Sequence, residues 1–307
     1  MTMAAAPKKD TAETPANTEP DPRPLPVAWQ PFSPRGIAAF ALASTARLLI
    51  VQLLVALIAA ATTCLFLRSA WFPVVAEAIR QLPAKGDLVD GSLQISNTVP
   101  LTLASSRFLT IVLDPDHSGQ FGLTSDLQVE LGRTNLYLSA VLGLVPIEYP
   151  TEGVAAFNRT ELVPWWGAWS QAVLGIAAAL TVLSLIGLWA ILAMAYTIPA
   201  RIMAYLLDRD TGWTGIWRLA AAGLMPGAIL MALAIMLYSL GLLDLVQLGF
   251  FSLFHLVVGW VFIFMSVLCL PHAKAATDPT TNPFDATTVT EPIPKKQSSA
   301  NPFKDGQ

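Results

Sequence analysis

Apolar and polar residues are segregated along this chain in long blocks. The first unbroken apolar block is Leu48–Leu67, and Arg68, Trp71 and Phe72 end it. A mixed stretch from Trp71 to Trp166 follows. Three more apolar blocks cover about Ala168–Ala195, Leu219–Leu240 and Leu248–Leu270. A helix needs roughly 20 such residues to cross a hydrocarbon core of about 30 Å. The pattern predicts four transmembrane helices, the first set apart from the rest by a domain. Trp71, Phe72, Trp165, Trp166 and Trp169 fall at the block ends, where aromatic rings gather at a membrane surface.

The mixed stretch changes period. Pro73 opens a short helix through Leu82, with Val75, Ile79 and Leu82 on one side. Asp90-Gly91 lies between two short apolar arms and predicts a hairpin. PLTL, FLTIVL and DLQVELGRTNLYL alternate at period two, with a turn at Gly132-Arg133. The expected fold class is an α-helical integral membrane protein of four transmembrane helices. A small extracytoplasmic domain, α+β or mostly β with roughly four to six strands, lies between helices 1 and 2.

The layout that follows has five parts. Residues 1–36 are rich in Ala, Pro, Thr and charge, and read as a disordered cytoplasmic tail with no signal-peptide core. Residues 37–68 hold the first span, with GIAAFALASTA as an interfacial lead-in or its first turns. Residues 69–167 form the exported domain, 168–271 the other three spans, and 272–307 a second disordered tail. Basic residues set the orientation. Lys8, Lys9, Arg23, Arg35 and Arg47 precede the first span. Arg201, Arg209 and Arg218 crowd the loop between spans two and three, and Lys274, Lys295, Lys296 and Lys304 follow the last. Both termini are then cytoplasmic, in a bacterial inner membrane.

Composition narrows the partners. Of 307 residues only 13% are charged, against roughly 25% in soluble domains. A net charge of −3 argues against nucleic acid. Lipid and other envelope proteins remain. Cys64 and Cys269 lie in apolar runs, so no disulfide frames the exported domain.

Candidate chemistry is sparse, and no cofactor is implied. Asp114, Asp116 and Ser118, followed by Gly119, resemble the start of a calcium loop. The match fails at the twelfth position, Ser125, and an acidic turn after a strand explains the same residues. His255 is an ionisable group inside the fourth span, a default functional candidate. A neutral histidine packed on a neighbouring helix, or bonded to Ser252, is the plainer reading. Gly223 and Gly227 have the small-xxx-small spacing of close helix contacts, and Gly175, Ser184 and Gly187 add further small residues. Pro226 predicts a kink. With His117, His255 and His272 as the only histidines, no metal cluster or catalytic motif is visible. Asn158-Arg159-Thr160 is a sequon, and Asn282-Pro-Phe284 and Asn301-Pro-Phe303 repeat a tripeptide.

A span, an exported domain and a cluster of spans resemble a bacterial membrane-protein family of unknown function. Some of its members are named for maltodextrin utilisation. Asp90–Leu93, FLTIVLDPDHSG at Phe108–Gly119 and Asp126–Leu136 carry the resemblance. It implies no catalytic residues. The expected function is a non-enzymatic membrane protein whose exported domain binds, senses or docks while the helices anchor it. The alternative is a subunit or accessory of a transporter, with carbohydrate uptake as its setting.

Overall fold

The computed structural model describes residues 28–95 and 99–272. Most of both expected tails, and both NPF tripeptides, lie outside the described residues.

The first helix, α1 (Pro34–Phe40), is short and buried, and Ser33 caps it by accepting from Gly36 N at 3.1 Å. It is not the start of the first span. Ser44 caps a separate helix, α2 (Thr45–Phe66). Ile37, Ala38 and Phe40 are sealed inside the bundle rather than lying on a surface.

Helix α2 passes through a π turn, Leu67–Trp71, into α3 (Phe72–Gln81). The whole rod has 37 residues. At 1.5 Å per residue it is about 55 Å long, well beyond a hydrocarbon core. Its upper third therefore belongs to the domain above. The same holds for α4 (Arg159–Leu206), whose 48 residues reach about 70 Å. It begins before the expected span because Asn158 caps it and Glu161 favours its first turn. Those polar residues do not register as an apolar block.

One span is split. Helix α5 (Trp213–Gly223) meets α6 (Met225–Ser239) at Leu224, just before Pro226. Proline cannot donate to the turn before it, so the break falls there. Helix α7 (Leu245–Leu268) starts with a capping box of Asp244 and Gln247. Four helices are thus long and apolar enough to cross a membrane: Thr45–Gln81, Arg159–Leu206, Trp213–Ser239 and Leu245–Leu268.

Between α3 and α4 lie eight strands among the described residues. They are β1 (Gly86–Val89), β2 (Ser92–Ile95), β3 (Leu101–Ser105), β4 (Leu109–Leu113), β5 (Leu127–Leu131), β6 (Asn135–Ala140), β7 (Gly143–Glu148) and β8 (Val154–Ala156). One sheet has the order β2-β1-β8, the other β3-β4-β5-β6-β7. Asp90 and Gly91 both take positive φ, 45° and 76°, as the tight β1–β2 hairpin requires. Strands β4 and β5 run parallel, Leu109 beside Leu127, and the other pairs are antiparallel.

The expected fold class needs correction. A helical protein with a small appended domain does not describe this chain. A five-stranded and a three-stranded sheet occupy residues 86–156, 59% of the described residues are helical, and the order is helix, sheet domain, long helices. Two physical causes lie behind the difference. The edge strands β7 and β8 are exposed along their length, so neither shows a buried alternation. And α3 is a structural layer of the sheet domain: Val74, Ala78 and Leu82 pack with Leu93, Leu103, Leu109, Leu113 and Leu131 in one core.

The bundle end away from the sheets is tied by arginines. Arg218 donates to Ala41 O at 2.8 Å, and Arg209 to Leu270 O at 2.5 Å. Arg201 donates to Thr211 O. Asp210 N donates to Pro271 O at 3.1 Å. These carbonyls close α1, α7 and the α4–α5 loop, where helix ends leave acceptors without partners.

Candidate functional site

The acidic turn after β4 folds inward. Asp114 is 1% exposed, and its Oδ2 accepts from Ser118 N at 2.8 Å and Ser118 Oγ at 2.6 Å. Asp116 turns the other way and accepts from Arg133 at 2.8 Å. The three oxygen-bearing side chains that suggested calcium do not converge on one point. Among the described residues no group of three or more His, Cys, Asp or Glu could hold a metal ion.

Beside the turn stands a pair that spacing along the chain does not reveal. His117 Nδ1 lies 2.5 Å from Glu130 Oε1, and its ring stacks on Tyr137 at 4.2 Å. Glu130 is buried on β5. Nearby, the Tyr149 hydroxyl donates to Gly132 O at 3.2 Å. Burial, and then Tyr137, push that hydroxyl up from 10.0 to about 12. A raised folded value favours the protonated form, so its stabilisation is whole below pH 10 and fades as pH climbs toward 12. The thermal midpoint of the protein should fall across that window, and Tyr149→Phe should lessen the fall. An identical alkaline loss in Tyr149→Phe would assign it to other groups.

The sequon asparagine is structural. Asn158 is buried, donates to Gly86 O at 3.2 Å and accepts from Glu161 N at 3.1 Å. A glycan on Nδ2 would replace one of its two hydrogens and would have to be housed beside this buried side chain.

Inside the bundle, a cavity of about 240 Å³ opens between α2, α4, α6 and α7. Thr63, Thr181, Ser184 and His255 line it among apolar residues. Thr63, Thr181 and Ser184 all donate to carbonyls of their own helices. His255 Nδ1 is buried and unpartnered among the described residues, so the bond to Ser252 is not made. Gly227 lets α6 approach the His255 backbone, and Gly223 lets the end of α5 approach Ile263. Gly175 and Gly187 have open space where a Cβ would sit, so neither packs a helix.

The sheet domain rests on the bundle at a second polar site. Tyr238, at the end of α6, donates to Asp126 Oδ2 at 2.6 Å. Arg107 donates to Gly241 O at 3.0 Å and Leu243 O at 2.6 Å. Phe108 sits over Tyr238 at 4.9 Å and over Phe66 at 5.6 Å, edge to face. These contacts join the β3–β4 turn and the start of β5 to the α6–α7 turn. The hydrogen-bonded residues lie more than 100 positions apart, so only the folded chain brings them together.

A third junction closes the domain at its far end. Arg159 N donates to Pro83 O at 3.1 Å, so the chain enters and leaves the sheets at one point. An apolar groove of about 260 Å³ runs from there along α3, between Ile79, Val129, Leu136, Phe157 and Trp166. No family model matches the chain, and no curated protein and no solved structure matches it.

Proposed function

We propose that this is a non-enzymatic multi-pass membrane protein whose outer domain binds, senses or docks, and whose helices hold that domain and carry its state into the bundle. The observation that carries this reading is the joining of the two parts. Two helices run without interruption from the bundle into the domain, and Asp126–Tyr238 and Arg107–Gly241 fasten the sheet to the α6–α7 turn. A merely tethered domain needs no such fastening, and inter-domain motion is the ordinary expectation without it.

Four carboxylates of the domain are engaged by other side chains, which supports a non-catalytic role, although Asp114 Oδ1 is buried without a partner among the described residues. Asp114 is held by Ser118, Asp116 by Arg133, Asp126 by Tyr238 and Glu130 by His117. We read the setting as a bacterial cytoplasmic membrane with both termini inside and the sheets outside. The partners are then the lipid bilayer and other envelope proteins, with no nucleic acid among them. The cavity beside His255 favours a second reading, a subunit or accessory of a transporter, with carbohydrate uptake as one setting.

One pair of variants separates the two. Residues 84–158 can be excised and closed with a short glycine linker, because Pro83 and Arg159 already touch. At normal membrane abundance, and in an assay where loss of the gene has a phenotype, the excision should abolish function. His255→Ala should leave it nearly intact. The opposite pattern replaces the docking reading with transport.

A further inference from the structure

The β6–β7 hairpin carries apolar side chains that the fold leaves uncovered. Val141, Leu144, Val145 and Ile147 are exposed, and Leu142 completely so. From Asn135 to Ile147 no residue is charged. A hairpin tip in water ordinarily carries Asn, Asp or Gly, and an exposed edge strand is ordinarily guarded by charge. Val141-Leu142 at the tip has neither protection.

Strand register fixes the direction in which this tip points. Leu109 pairs with Leu127, Leu127 with Ala140, and Ala140 with Gly143. Arg107 and Asp126, which touch the α6–α7 turn, lie just before Leu109 and Leu127. Val141 and Leu142 therefore project from the end of the sheet that rests on the bundle. Strand β7 is two strand spacings from β5, roughly 10 Å to the side. Complete exposure of Leu142 means that no helix of the bundle touches it. The far end of the same sheet is charged, with Asp116, Arg133 and Glu148.

We infer that the β6–β7 tip inserts into the interfacial zone of the outer leaflet, with Val141, Leu142 and Leu144 among the headgroups and upper acyl chains. This rests on the proposed topology. The lipid surface explains what a soluble role does not: an uncharged tip, apolar on its exposed side, at the membrane-facing end of a sheet whose other end is charged. It gives the domain a lateral foothold beyond the Asp126–Tyr238 junction. Pairing of β7 with a second copy is disfavoured by Pro146 at its centre, which has no N–H for a ladder.

The test uses the full chain with Cys64→Ala and Cys269→Ala, carrying either Leu142→Cys or Asp116→Cys labelled with bimane. Neither position is buried, so both variants should fold. In phosphatidylcholine vesicles, doxyl-labelled lipid should quench the probe at 142, and aqueous iodide should not. At 116 the order should reverse. Iodide quenching at 142 without doxyl quenching overturns the insertion. Shielding from both quenchers, with cysteine cross-linking between copies, assigns the tip to a second chain and also overturns it. Labelling of the 116 variant by an impermeant maleimide on intact cells checks the topology separately. If 116 is reached only after lysis, the topology fails and takes the outer-leaflet assignment with it. If 116 is reached outside while iodide reaches 142, only the insertion fails.

Discussion

Gly227→Leu should part α6 from α7 and destroy the packing of the bundle. A Cβ at position 227 would stand 2.4 Å from the carbonyl oxygen of His255. That oxygen is helix backbone, so it yields only if all of α7 moves. One turn earlier, a Cβ at 223 would stand 2.5 Å from Ile263 Cγ1 and 3.3 Å from its backbone. Helices in lipid have no hydrophobic drive to associate, and close approach of small residues replaces it. Overpacking by a few methylene groups costs about 1–3 kcal/mol even where side chains can shift. Here backbone would have to shift, so the loss should exceed that range. Detergent-solubilised Gly227→Leu should melt well below the parent and lose its monodisperse elution. Gly175→Leu and Gly187→Leu are the controls, since nothing lies within 4 Å of either Cβ, and both should behave as the parent does. A Gly227→Leu protein that melts with the parent would mean that α6 and α7 are not joined at this face.

The apolar blocks were legible because each is apolar along its whole length, which is a property of about twenty neighbouring residues. The Asp90-Gly91 hairpin was legible because its turn demands positive φ at both positions, a local requirement. What escaped was set by distance in the chain or by polarity. The helix expected from Pro73 through Leu82 is α3, whereas residues 159–167 of α4 mix charge and proline with apolar groups, so hydropathy misses the start of that helix. Helix α1 reads as weakly apolar, and only its burial against α5 and α7 shows it to be core. Gly175 and Gly223 look alike in sequence, yet only Gly223 meets a neighbour. The Asp126–Tyr238 bond joins residues 112 positions apart, and no spacing rule could pair them. In the calcium-like run, ligand order along the chain says nothing of where side chains turn. Asp114 faces the interior and Asp116 faces Arg133.

A phosphatase fused after Gly132 should be active in living cells, and one fused after Asp210 should be inactive. The two sites lie at opposite ends of the bundle. Gly132 follows β5, on the sheet that rests on the α6–α7 turn. Asp210 lies in the other end, where its N–H donates to Pro271 O beside the last turn of α7. Arg201, Arg209 and Arg218 are gathered at that second end. Short loops rich in arginine stay on the cytoplasmic side during insertion. An arginine placed at the centre of a spanning helix carries a penalty of about 2.5–3.5 kcal/mol on insertion scales. Three of them are spent on carbonyls that close α1, α7 and the α4–α5 loop, so this end is a folded cap as well as a charge signal. Replacing the three by glutamine should weaken both effects, lowering abundance and raising phosphatase activity after Asp210. Activity after Asp210 in the parent, or silence after Gly132 at normal expression, would reverse the orientation and sink the four-span arrangement.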